Sequence, residues 1–128
     1  MYQYQVSFSQ AVSMAFDSYC RFQGRSSRSE YWWWVLFTFI LGSALSLLEL
    51  LLGFSSTAAQ ATNGLLSLAL LLPGLGLSVR RLHDINKSGW WILLGLIPVV
   101  GAIVLIIWFA QNSQMQDNQY GPVPNLAR

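Results

Sequence analysis

Charge is scarce in this chain. Only 9% of its 128 residues are Asp, Glu, Lys or Arg, while 54% are hydrophobic; soluble domains carry roughly 25% charged residues. A water-soluble fold of this length, one domain at most, would lack the polar surface to cover itself. A bilayer removes that requirement. The single cysteine, Cys20, excludes an internal disulfide, and with one histidine in the chain it excludes a Cys/His zinc cluster. There is no Gly-rich phosphate loop, no nucleophile elbow and no pair of histidines at zinc-helix spacing. No cofactor or metal is therefore expected, and the chain does not read as an enzyme. The start, Met1-Tyr2-Gln3-Tyr4-Gln5, lacks the basic and apolar regions of a signal peptide, and neither end carries a lipidation motif. The first spanning helix is expected to direct insertion itself.

Basic residues are few but clustered. Six of the seven lie between Arg21 and Arg28 or between Arg80 and Lys87. Each cluster runs into adjacent tryptophans and then into a long apolar run. The first is Arg25-Ser26-Ser27-Arg28-Ser29-Glu30-Tyr31-Trp32-Trp33-Trp34; the second is Arg80-Arg81-Leu82-His83-Asp84-Ile85-Asn86-Lys87-Ser88-Gly89-Trp90-Trp91. Lys and Arg stay on the cytoplasmic side of a bilayer and Trp prefers the headgroup level, so both copies read as cytoplasmic mouths of spanning helices. Basic groups beside apolar spans point to anionic lipid headgroups as partners, and not to nucleic acid.

Residues 6–20 place Phe8, Val12, Ala15, Phe16 and Tyr19 at helical spacing among polar residues, which predicts an amphipathic interfacial helix. It would rest on lipid or on the ends of the spanning helices. After Gly24, the run Ser27-Arg28-Ser29-Glu30 fits a capping box, with Glu30 near the positive end of the helix dipole. The 22 residues of 31–52 extend roughly 33 Å, enough to cross the hydrocarbon core. Residues 53–64 read as an uncharged loop. A second span is expected over 63–82, kinked or locally unwound at Pro73-Gly74, which requires neighbours to satisfy the freed carbonyls. A third is expected over 90–110, with Pro98 and Gly101 near its middle, followed by a polar tail, 111–128, containing the turn Gly121-Pro122-Val123-Pro124.

The fold class predicted is thus all-α, an integral membrane protein with three transmembrane helices plus the amino-terminal amphipathic helix. The charge rule puts the amino terminus and the second loop in the cytoplasm, so three spans leave the carboxyl terminus outside. A re-entrant second segment would keep the tail cytoplasmic, but it would strand the basic loop outside.

The one dense polar constellation is Arg80, Arg81, His83 and Asp84, with Arg25, Arg28 and Glu30 brought to the same membrane face. Arg80 and Arg81 stand four and three residues before Asp84, spacings that allow ion pairs on a helix. Interfacial arginines holding lipid phosphates, tied together by Asp84 and Glu30, explain these residues most simply. A site for a specific anionic ligand is a second reading, since arginine forks suit phosphate. Catalysis by His83 with Asp84 lacks a nucleophile or metal ligand. Glu49 is the one acidic residue inside a spanning run, either reaching the outer interface or forming a proton or cation site. Trp32, Trp33, Trp34, Trp90 and Trp91 form an aromatic belt, with Trp108 expected at the opposite interface. Gly42/Ser46 and Gly74/Ser78 have the small-xxx-small spacing of close helix contacts.

These motifs resemble a bacterial membrane family, domain of unknown function 805. The resemblance rests on Gly24-Arg25-x-x-Arg28-x-Glu30-Tyr31-Trp32, on Arg80-Arg81-Leu82-His83-Asp84 with Ser88-Gly89-Trp90-Trp91, on Gly95 to Pro98, and on Asn118-Gln119-Tyr120-Gly121-Pro122. It implies a small multi-pass protein of the bacterial inner membrane and supplies no activity. Three short spans bury little surface against one another, so a second copy or another membrane protein is an expected partner. The leading reading of function is a non-enzymatic accessory, scaffold or anionic-lipid-binding component. The alternative is a small transporter or channel component that acts as an oligomer, with Glu49 and the broken second helix lining a path.

Overall fold

Ser27 opens the first long helix as the spacing predicts. Its side chain accepts from the Glu30 amide at 3.4 Å, and Glu30 Oε1 accepts from the Ser27 amide at 3.4 Å. The computed structural model describes residues 4–125. The sequence-based reading of the first three residues, and of the last three residues of the tail, falls outside them. Within the described residues the order is α1 (Phe8–Asp17), α2 (Arg28–Leu51), α3 (Ser56–Asp84), a 3₁₀ helix (Gly89–Leu96) and α4 (Val100–Phe109). No β-strand occurs among them beyond one isolated bridge between Asn118 and Gly121.

Helices α2 and α3 are long and apolar enough to cross a membrane, and only 11% and 17% of their most apolar stretches are buried within the chain. They are joined by a tight turn. Gly53 takes φ 72°, and the Phe54 amide reaches back to the Glu49 carbonyl at 2.9 Å, a Schellman ending to α2. Ser55 then caps α3 by accepting from the Ala58 amide at 3.1 Å. The expected loop 53–64 is therefore mostly helix. A serine cap followed by Ala58, Ala59 and Ala61 favours helix without any apolar periodicity.

Pro73 lies inside α3, and the helix continues through it. Proline has no amide hydrogen, so the carbonyl four residues earlier, Ala69, loses its partner. The Tyr19 hydroxyl donates to that carbonyl at 2.5 Å. The requirement that a neighbour satisfy the freed group is thus met from the end of the amino-terminal segment. That segment is α1, shorter than 6–20 and capped by Ser7 with Gln10. It buries Ala11 and Ala15 and sets Phe8 against Trp33 and Phe16 against Trp34, with ring centroids 5.7 and 5.5 Å apart.

The third apolar run is not one span. Its first arm is the 3₁₀ helix and its second is α4. Pro98 holds Ile97 extended at ψ 111°, and Val99 then takes φ 65° and ψ −66°, a γ-turn closed by the Val100 amide on the Pro98 carbonyl at 2.7 Å. The chain doubles back there. Trp91 and Trp108 meet edge to face at 5.7 Å, whereas 17 residues of continuous helix would hold them about 25 Å apart. Gly101 makes the approach possible, since a Cβ there would sit 1.7 Å from the Leu94 carbonyl oxygen. Arms of 8 and 10 residues extend about 16 and 15 Å at their respective rises, half of a bilayer core. The expected helix over 90–110 is therefore corrected to a hairpin of two short arms, and Trp108 lies at the same end as Trp91, not the opposite one. The carboxyl-terminal tail returns to the end that holds the amino-terminal segment.

Packing is concentrated at that end. One apolar cluster joins Ala15, Trp34 and Leu77, and a second joins Leu82, Leu105 and Phe109, with Tyr31 beside both. The far halves of α2 and α3 expose Phe39, Leu47, Leu50, Leu65 and Leu68. Gly74 accommodates Trp34, whose Nε1 would lie 3.4 Å from an added Cβ, but nothing packs on Gly42. Only one of the two small-residue spacings serves a contact within the chain.

Two outcomes test this fold. In a background with Cys20 replaced, Gln116→Cys and Ser88→Cys should share the same accessibility to an impermeant maleimide, opposite to Thr57→Cys. Joint labelling of positions 116 and 57 without 88 would restore a crossing third segment. Separately, Tyr19→Phe should lower stability by about 1 kcal/mol in denaturant unfolding in micelles, and by almost nothing beside Pro73→Ala, where no orphaned carbonyl remains.

Candidate functional site

The last turn of α3, the linker before α2 and the start of the tail converge on one carboxylate, and Arg81 ties in the end of α4. Asp84 is fully buried, and its Oδ1 accepts from Arg25 Nε at 3.1 Å and faces Arg25 Nη2 at 3.0 Å. Its Oδ2 accepts from Arg81 Nη1 at 2.9 Å and from the Ser113 hydroxyl. The Arg81–Asp84 pair is the i,i+3 pair that helical spacing allows; Arg80 turns elsewhere.

Both guanidinium groups also donate to backbone. Arg25 donates to the carbonyls of Gln116 and Gly121 at 3.0 and 3.2 Å, and to those of Asp84 and Gln114 at 3.2 and 2.5 Å. Arg81 Nε reaches the Phe109 carbonyl at 3.2 Å, and its Nη2 reaches Gln111. Helix α4 ends here, and a helix end leaves carbonyls without internal partners and a partial negative charge. Trp32 Nε1 also donates to Phe109 at 3.0 Å, and Arg28 donates to Ala110 at 3.3 Å and Asn112 Oδ1 at 3.1 Å. The arginines thus cap the returning arm of the hairpin.

Arg80 serves the opposite flank. Its Nε donates to Ser26 Oγ at 2.9 Å, and its Nη1 donates to the carbonyls of Arg21 and Ser18. Gly76 lets that strand approach, because a Cβ there would stand 2.8 Å from the Arg21 oxygen. Glu30, buried at the start of α2, receives Asn125 Nδ2 at 2.8 Å, and Asn125 also donates to Ser27 Oγ at 2.8 Å. His83 Nδ1 lies 2.9 Å from the Gly24 carbonyl, and its ring stacks on Tyr120 at 3.9 Å with the planes 2° apart. The turn that presents Tyr120 is closed by Asn118 and Gly121 amides on each other's carbonyls at 3.1 and 3.0 Å.

Six of the seven residues singled out at this face are therefore buried: Arg25, Glu30, Arg80, Arg81, His83 and Asp84. Arg28 alone is exposed. Among the described residues no buried side-chain polar atom lacks a partner, and none form a group of three or more acidic, His or Cys ligands around a metal position. Sequence reasoning assigned no site role to Ser113, Asn118, Tyr120 and Asn125 of the tail, although Asn118 and Tyr120 stood in the motif that carries the family resemblance. They lie in a polar segment with no periodicity to mark them.

Glu49 stands apart from this network, near the far end of α2. It is 4% exposed and accepts from Thr62 Oγ1 at 2.9 Å and from Asn63 Nδ2 at 2.8 and 3.1 Å. The carboxylate is held between α2 and α3 and does not reach outward.

Removing Asp84 should expose how the network is balanced. Asp84→Asn leaves Arg25 and Arg81 buried without a counter-charge, so denaturant unfolding in micelles should show a loss of about 3–5 kcal/mol. Arg28→Gln, at an exposed position, should cost less than about 1 kcal/mol.

The chain is similar to inner membrane protein YhaH of Escherichia coli strain K12, with 34% identity over 110 residues covering 85% of this chain and 91% of the relative. It is likewise similar to inner membrane protein YhaI of the same strain, with 37% identity over 109 residues, 85% of this chain and 90% of the relative. No solved structure matches significantly. The family model described as "Protein of unknown function (DUF805)" matches residues 19–122, a stretch that holds the Arg25–Asp84–Arg81 network and the turn on His83. The chain belongs to that family.

Proposed function

We propose that this protein is a small, non-enzymatic inner-membrane accessory element, with α2 and α3 crossing the bilayer, the hairpin entering from the cytoplasmic face, and both termini cytoplasmic. The observation that carries this reading is the inward use of the polar constellation. Arg25, Arg80 and Arg81 spend their hydrogens on Asp84, on the Ser26 hydroxyl and on the chain's own carbonyls. A site built to grip a ligand or run a reaction would leave some of these groups aimed at a cleft. Here they lock the cytoplasmic end into one shape. Contact with anionic headgroups then falls to the exposed Arg21 and Arg28 and to Lys87, which lies 4.5 Å over the Trp108 ring.

The orientation follows the charge rule applied to two spans, with both basic clusters on one side and an uncharged turn on the other. The far halves of α2 and α3, apolar and bare, are the surface through which a second copy or another membrane protein would be met. The transport alternative rests on Glu49, and its bonds to Thr62 and Asn63 favour a brace between helices over a path.

Native mass spectrometry from nanodiscs, paired with flux in proteoliposomes, tests the proposal. The expected result is a stable complex with a second copy or another integral protein, and background proton and cation flux in both the unaltered protein and Glu49→Gln. Flux above protein-free vesicles that collapses in Glu49→Gln would replace the accessory reading with transport.

A further inference from the structure

A cavity of about 560 Å³ lies between α3 and the first arm of the hairpin, within the range of small-molecule sites. Leu75, Val79 and His83 line it at helical spacing from α3, and Ser88, Trp90 and Leu93 face them. Its walls are apolar, and no Lys, Arg, Asp or Glu lines it. Trp90 and Leu93 are 78% and 51% exposed, so the cavity opens beside the surface that meets acyl chains.

Two polar atoms at its rim have defined roles. The Gly24 carbonyl can only accept, so the Nδ1 atom of His83 beside it carries the hydrogen. In the neutral ring Nε2 is then an acceptor; it makes no hydrogen bond among the described residues, and since every buried side-chain polar atom there has a partner, it stands open at the rim. Stacking on Tyr120 fixes the plane of the ring. Gly89 brings the arm close, since an added Cβ would lie 3.6 Å from Nε2 and 2.7 Å from Val79 Cγ1. Ser88 Oγ accepts from the Trp90 amide at 3.3 Å, which leaves the serine hydroxyl hydrogen to give. The rim thus offers one acceptor and one donor, without charge.

We propose that this cavity binds a neutral lipid with a free hydroxyl, such as a diglyceride or a long-chain isoprenoid alcohol. The hydroxyl donates to His83 Nε2 and accepts from Ser88, and the hydrocarbon lies along Leu75, Val79 and Leu93. A phosphate would set an anion against the lone pair of Nε2 and an uncharged wall, with no cation to offset the desolvation. The site goes beyond the accessory reading and does not depend on it, because every residue comes from one copy of the chain.

The test uses the full chain in phosphatidylcholine nanodiscs with a diglyceride carrying a diazirine in one acyl chain, labelled peptides being mapped by mass spectrometry. Labelling should be saturable and concentrated in residues 75–79 and 90–93. Competition by unlabelled diglyceride assigns a glycerolipid, and competition by an isoprenoid alcohol assigns that class; either supports the site. His83→Asn retains an amide hydrogen for the Gly24 carbonyl and lacks the Nε2 acceptor, so labelling should fall about tenfold. Val79→Phe fills the cavity away from the rim and should reduce labelling as strongly, with circular dichroism verifying that both variants are folded. Unchanged labelling in Val79→Phe, unsaturable labelling spread over α2 and α3, or equal labelling by a diazirine phosphatidylglycerol would overturn the proposal.

Discussion

Asp84 is the group on which the arrangement of this protein depends, because the linker before α2, the end of α3 and the tail all bond to it. Arg25 approaches from the linker before α2, Arg81 from α3 itself, Ser113 from the start of the tail, and the Gln114 amide donates to the Asp84 carbonyl at 3.2 Å. A buried ion pair adds little net stability, since desolvation offsets most of its Coulomb attraction, yet losing one member strands the others. Its effect is selective. Alternative packings of the tail or the hairpin would strip Arg25 and Arg81 of the carbonyls of Phe109, Gln111, Gln114 and Gln116, leaving buried guanidinium hydrogens unmatched.

The same accounting governs the backbone. Where lipid surrounds a chain, each unpaired amide or carbonyl is costly, so irregular segments persist only where protein groups satisfy them. Tyr19 fills the vacancy that Pro73 opens at Ala69. Trp32, Arg28 and Arg81 together cover the carbonyl end of α4. The tryptophan and arginine that hydropathy assigns to the interface are therefore placed there by helix ends as much as by headgroups. The molecule is polarised as a result, with one end fixed by polar contacts and the other two apolar rods joined by Glu49, Thr62 and Asn63. Such a body is suited to present one fixed polar surface while its apolar faces remain open to lipid or protein.

Much of the fold was legible because local rules decide it. The capping box at Ser27 and Glu30 needs only neighbours three residues apart, and it forms as spaced. The 22-residue, mostly apolar run from Tyr31 makes a helix long enough to cross a bilayer. The ring spacing of Phe8 and Phe16 gives α1 its apolar face. The convergence of Arg25, Glu30, Arg81 and Asp84 was legible too, since two basic–aromatic motifs at the same membrane level bring them near one another.

Direction and pairing were not legible, and the reason is physical. Hydropathy measures whether a segment prefers lipid and carries no sign for which way it runs, so 21 apolar residues from Trp90 fit a single crossing as well as two short arms. The choice between them was made by Val99 turning at φ 65° and by the Leu94 carbonyl finding room only above Gly101. Nor could composition show that the tail is a structural element, because Ser113, Tyr120 and Asn125 carry no pattern until Asp84, His83 and Glu30 are in place to receive them. Sequence by itself determined which segments are apolar and basic and where α2 begins, since those properties arise within a few residues of chain. The tertiary structure alone decided that the arginines hold carbonyls and that Glu49 is buried, since these depend on partners 13 to 96 residues away, and that the third segment returns, since its two arms must find room against each other at Gly101.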